Sequence, residues 1–112
     1  MSRFGPAAVE LLRNLRAGEA VVSSITLLEI AMLVKKDRIR LSVPAEEYLR
    51  GIQRNFPPLP ITSEVASLAT ELELPQADPF DRVIVATAKH HNLRLVTRDQ
   101  NITASGLAKV VW

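Results

Sequence analysis

The chain has 112 residues, with 14 Lys and Arg against 12 Asp and Glu, and it contains no cysteine. That length fits one domain with one core, and the lack of thiols excludes a disulfide framework and any thiolate metal site. The longest apolar run, Ala20 to Val34, is broken by Ser23, Ser24, Thr26 and Glu29, so it is too short and too polar to cross a bilayer. With no signal-type core in Met1 to Pro6, a cytoplasmic product without membrane partners is expected.

Strand and helix patterns alternate along the chain. Ala8, Leu11, Leu12 and Leu15 give residues 7–16 an amphipathic helix, and Gly18 follows as a stop. Residues 20–25 form a short β-prone run, and 27–36 read as helix. Pro44 opens a third helix with Tyr48, Leu49 and Ile52 inward, since proline suits a first helical turn. A short strand is expected over 59–62. A helix over 64–74 buries Val65, Leu68, Ala69 and Leu72. Residues 79–91 form a helix that is apolar nearly all round, which implies burial on several sides. Strands over 93–97 and 109–112 close the chain. Apolar strands separated by helices point to a parallel sheet covered on both faces, and such sheets bind ligands outside the carboxyl ends of their strands.

Charge is zoned. Six basic residues against three acidic ones lie between Lys35 and Arg54, followed by five acids and no base from Asn55 to Asp81. Such zones can set an acidic pocket in a basic surround, or they can be plain solvated helix faces. As a nucleic-acid platform the Lys35–Arg54 segment lacks interleaved aromatics, having only Tyr48.

Three carboxylates fall where the strand-end rule points: Glu29, Asp81 and Asp99, separated by 52 and then 18 residues. Gathered by the fold, they would repel one another unless a cation intervened, and oxygen-only ligands suit Mg²⁺ or Mn²⁺. Each also has a structural alternative. Thr26-x-x-Glu29 is a capping box. Asp78-Pro79-Phe80-Asp81 is an N-cap, an N1 proline and an N3 acid. Asp99 can shape a turn, and Thr97 can cap that turn or bond a ligand oxygen. Arg82 and Arg98 adjoin candidate acids, either as solvated surface groups or as phosphate contacts. His90 and His91 lack the one-face spacing of a zinc pair and read as surface residues, and Trp112 reads as a terminal core or interface anchor.

The segment Val21-Val22-Ser23-Ser24-Ile25-Thr26-Leu27-Leu28-Glu29-Ile30-Ala31 resembles the strand-to-helix segment of a PIN domain. Asp78-Pro79-Phe80-Asp81-Arg82, followed by Val83 to Ala88, resembles the segment carrying that family's third acid. Leu95-Val96-Thr97-Arg98-Asp99 resembles the one carrying its fourth. The order is right, the likeness spans nearly the whole chain, and the most similar subgroup is the VapC-like toxins of bacterial and archaeal toxin–antitoxin pairs. The resemblance implies one PIN-like domain over 1–112: a three-layer α/β/α sandwich with a mostly parallel sheet. It implies a Mg²⁺- or Mn²⁺-dependent endoribonuclease that hydrolyses RNA with metal-activated water. It implies Glu29, Asp81 and Asp99 as catalytic metal ligands, with Asp78 and Thr97 in support and Arg82 and Arg98 on RNA. It further implies an antitoxin partner and frequent homodimers. Two departures accompany it. PIN domains open with a central strand ending in aspartate, whereas here the first helix matches the segment that follows it, so that strand and acid are expected to be missing. The flanking strands would then pair directly, or another chain would fill the gap, or the coding start would lie upstream. Relatives also often carry histidine near Gln76-Ala77. The first departure motivates an alternative function, a non-catalytic remnant that folds and binds an antitoxin or itself.

Overall fold

The computed structural model describes residues 5–112, so the reading of Met1 to Phe4 as lacking a leader core lies outside the described residues. Helix α1 (Pro6–Arg13) starts with proline at its first position behind Gly5. The Ala8 N–H donates to the Trp112 carbonyl at 2.8 Å, and a Cβ at residue 5 would collide with that same carbonyl. Trp112 is thus an anchor that ties the two ends together, and Gly5 is there because the approach leaves no room for a side chain.

Strand β1 is only Val22–Ser23, because the Ser23 hydroxyl accepts the Ile25 N–H at 3.3 Å and starts helix α2 at Ser24 (Ser24–Lys35). The Thr26–Glu29 capping box therefore does not form: Ser23 takes the cap, Thr26 falls inside the first turn, and Glu29 lies one turn further in. Helix α3 (Ala45–Asn55) leaves Tyr48 41% exposed rather than inward, while Leu49 and Ile52 are half-buried as expected. Strand β2 (Pro58–Leu59) ends early because the Thr62 hydroxyl accepts the Val65 N–H and caps α4 (Ser63–Glu71). Helix α5 (Pro79–His90) buries Val85, Ala86, Thr87 and Ala88, as its apolar character predicts. After β3 (Arg94–Val96) comes α6 (Gln100–Ser105), a helix the hydrophobic pattern does not announce, closed by Gly106 in the left-handed region. Strand β4 (Lys109–Val111) completes the chain.

Both strand pairings are parallel, but among the described residues they form two separate sheets, β1 with β2 and β3 with β4. Direct pairing of the 20–25 and 93–97 runs therefore does not occur. Each strand takes its parallel partner from its own crossover, and α5 packs against both β1 and β3. The core gathers Val65, Ala69, Leu72 and Leu74 with Val85 and Ala86 of α5 and Ile102 of α6, and Leu95 and Val110 pack against it.

Arg82 fastens this core to α5. Its guanidinium donates to the carbonyls of Ala69, Leu72 and Leu74 at 3.0–3.1 Å, closing the frayed end of α4 and the chain leading to α5. The Leu72 and Leu74 carbonyls also accept the N–H groups of Leu74 and Ala77, so the guanidinium adds charge-assisted bonds to a turn already hydrogen-bonded and ties it to α5. In urea unfolding, Arg82→Ala should destabilise the protein by about 3 kcal/mol. Arg98→Ala, which removes an exposed side chain, should cost no more than about 0.5 kcal/mol. Equal midpoints for the two variants would remove this role from Arg82.

Candidate functional site

Two helix N-termini build the site. At α5 the Asp78 carboxylate accepts the Asp81 N–H at 2.8 Å, and Pro79 occupies the first position. Asp81 is thereby set in the first turn, where the helix dipole favours a negative charge. At α6 the Asp99 carboxylate accepts the Ile102 N–H at 2.9 Å. The Thr97 hydroxyl accepts the Asp99 N–H at 3.1 Å, so Thr97 shapes the turn that presents Asp99. Each cap engages one carboxylate oxygen and leaves the other available.

Glu29 comes from a third element, α2, which packs against α5. Its carboxyl is pushed above the ordinary range by burial first, then by the charges of Asp81 and Asp78. Asp81 is likewise pushed up by burial, then by Asp78 and Asp99. Glu29 thus feels the charges of Asp81 and Asp78, and Asp81 those of Asp78 and Asp99. Asp81 and Asp99 line a shared open cleft at the two helix ends.

The basic residues divide. Arg82 commits both terminal nitrogens to main-chain carbonyls, whereas Arg98, in the turn between β3 and α6, is exposed and has no ion pair among the described residues. His90 and His91 are exposed, edge to face with ring centroids 4.9 Å apart. Two cleft residues escaped assignment from the sequence, Gln76 and Asn101. Asn101 carried no signal because α6 was not expected. Gln76 sits beside the recognised Asp78 motif, but its backbone, at φ +66°, is not legible in a non-glycine residue.

Among the described residues no three acids converge on a single point as a ready-made cage. The donor set nevertheless suits a small hard cation, since it is carboxylate oxygen only and burial and the neighbouring charges push the carboxyls of Glu29 and Asp81 up. Mg²⁺ in particular is commonly held by one or two carboxylates, with substrate oxygens and water completing the shell.

Residues 3–106 match the PIN domain family, and the chain belongs to that family. The chain is 38% identical over 103 residues to Ribonuclease VapC22 of Mycobacterium tuberculosis (strain ATCC 25618 / H37Rv), covering 89% of this chain and 76% of the relative. Two solved structures share the fold. One is FitAcB from Neisseria gonorrhoeae, with a TM-score of 0.67 and 23% identity over 95% of this chain and 84% of that one. The other is FitAB bound to an IR36 DNA fragment, with a TM-score of 0.58 and 20% identity over 98% and 84%. The PIN-like α/β fold expected from the sequence is therefore established. Among the described residues no helix is long and apolar enough to cross a membrane.

The raised carboxyls make the cluster's effect on stability depend on pH. Well above their raised folded values both acids are charged in either state, and the native state carries the repulsion. As pH falls toward their ordinary values, 4.5 for Glu29 and 3.8 for Asp81, the folded chain takes up protons before the unfolded one. Stability from this source therefore rises as pH falls through that window and is constant below it. Asp81→Asn should unfold at higher urea than the wild type at pH 7 without added metal, with the gap narrowing toward pH 4. A variant less stable at pH 7, with a gap independent of pH, would contradict the coupling.

Proposed function

We propose that the chain is a PIN-type toxin nuclease, an endoribonuclease that hydrolyses RNA phosphodiester bonds with Mg²⁺ or Mn²⁺. The observation that carries this reading is that Asp81 and Asp99, presented by the capped starts of α5 and α6, line one cleft, with Glu29 of the neighbouring α2 near enough to Asp81 for that charge to raise its carboxyl. The family match and the ribonuclease relative supply the class of chemistry. Asp81 and Asp99 would hold the ion, assisted by Glu29. Once bound, such an ion activates water and offsets the charge developing on the phosphodiester. Glu29, with its carboxyl shifted toward neutrality, accepts a proton more readily than an ordinary glutamate. Asp78 and Thr97 hold the two turns in shape through the bonds described above. Arg98 offers the RNA backbone a free guanidinium, while Arg82 acts from behind by fixing the start of α5.

The same reading includes an antitoxin and pairing with a second copy, in a prokaryotic cytoplasm. Support for a protein partner comes from α2, which is apolar on most sides yet has no fully buried residue. Leu28 and Met32 of α2, Tyr48 of α3 and Phe56 just after α3 are all more than a third exposed. A helix that is apolar all round is normally covered.

Purified protein should cleave RNA with Mg²⁺ or Mn²⁺ and stop in EDTA, and Asp81→Asn and Glu29→Gln should each lower the rate by about 100-fold or more. Cleavage that persists in EDTA or in both variants would rule the mechanism out. That no three acids form a ready-made cage among the described residues favours the second reading, a non-catalytic PIN-like protein that retains only its partner surface. Calorimetric titration with Mn²⁺ separates the two: saturable binding that is lost in Asp81→Asn supports the nuclease, and no saturation at millimolar metal supports the remnant.

A further inference from the structure

We infer that the turn closing α2 is a phosphate-binding surface, where Lys35, Lys36, Arg38 and Arg40 hold the backbone of an RNA strand whose cut bond lies at the Asp81–Asp99 cleft. The inference rests on the ribonuclease reading and adds to it where the strand is held away from the bond that breaks. The four cations fall within residues 35–40, all are exposed, and Asp37 is the acid among them. Among the described residues none of the four side chains has a hydrogen bond or an ion pair. The acids that open α3 do not cancel them: Glu46 pairs with Arg50 at 2.8 Å, which leaves Glu47.

The ordinary role of cations at a helix end is to meet its dipole and its unpaired carbonyls. Here the main chain already does the second job. The N–H groups of Lys36, Asp37 and Arg38 donate to the carbonyls of Met32, Val34 and Leu33 at 3.0, 3.1 and 2.8 Å, with Asp37 in the left-handed region at φ +57°. Arg38 and Arg40 lie beyond the last turn, where the dipole has faded. The closed turn also fixes the backbone that carries the cations, so like charges are held close without partners, and a polyanion relieves their repulsion. Position ties the turn to the site. Glu29 and Lys36 are seven residues apart along α2 and its cap, so they share one helix face about 10 Å apart along the axis. That span is about two or three phosphates of a nucleic-acid strand. The carboxylates at the cleft repel RNA, so the attraction that brings a strand to them comes from elsewhere on the surface. No aromatic residue lies between Lys35 and Arg40, so bases have nothing to stack on and the contact is to phosphate, independent of sequence.

The test is the salt dependence of binding. Fluorescence anisotropy would follow the full chain with a labelled oligouridine RNA of about twelve nucleotides, in EDTA to stop metal-dependent cleavage, between about 50 and 200 mM KCl. Each phosphate neutralised on a single strand contributes about 0.7 to the slope of log affinity against log salt, so three contacts contribute about 2. The variant Lys35→Ala/Lys36→Ala/Arg38→Ala/Arg40→Ala should make the slope shallower by about 2 and weaken binding at the lower salt by about tenfold or more. The variant Arg13→Ala/Arg16→Ala/Lys89→Ala/Lys109→Ala removes the same charge from exposed positions elsewhere and should change the slope by less than about 0.7. Equal losses in the two variants would overturn the surface and reduce its effect to net charge. A slope unchanged in the first variant would overturn it as well and leave the cations to a protein partner. Wild-type protein that binds no RNA in EDTA would also overturn it. The ribonuclease reading is judged separately by metal-dependent cleavage, which none of these outcomes touches.

Discussion

Carboxylates that repel one another must be held together by something else, and here two helix caps do the holding. Asp78 and Asp99 each accept a backbone N–H at the head of a helix, so their positions are fixed by α5 and α6 rather than by mutual preference. Asp81 follows from the first cap by three residues, and its charge meets the favourable end of the α5 dipole. Glu29 arrives because α2 packs on α5. Removing a cap would loosen the acid it positions, and the local concentration of negative charge would relax with it.

Behind the caps, α5 is the element on which the molecule converges. It contacts α2, α4, β1 and β3, and its middle turns supply much of the buried surface. Arg82, one residue after Asp81, reaches back to three carbonyls at the end of α4 and beyond. The same short segment thus sets an acid outward and pins the core inward. Because the two parallel strand pairs are not joined among the described residues, the site's rigidity comes from this helix and its anchoring rather than from one continuous sheet.

How much of this could be read from the residues depended on how local the physics was. Asp78-Pro79-Phe80-Asp81 declared a cap, a first-turn proline and a first-turn acid within four positions, and all three are present. The buried faces of α4 and α5 were legible for a similar reason, since periodicity reports burial directly. Non-local competition was not legible. Ser23 caps α2 and displaces the equally plausible cap at Thr26. Arg82 looked like a surface cation because its acceptors lie 8 to 13 residues upstream. Helix α6, only six residues long, is too short to show a period, and Asn101 stayed hidden with it. The conformation of Gln76 depends on the turn it closes, which no residue type at that position advertises. The PIN-type segments supplied what periodicity could not, namely the proposal that Glu29, Asp81 and Asp99 act together.

The most direct measurement of the account is a carbon-13 NMR titration of the Glu29 and Asp81 side-chain carboxyls in metal-free protein, repeated in Asp81→Asn. Glu29 should titrate above the ordinary glutamate range in the wild type and move back toward it when the charge at position 81 is removed. A Glu29 that titrates identically in both proteins would show that the acids do not share one neighbourhood, and the site described here would not exist.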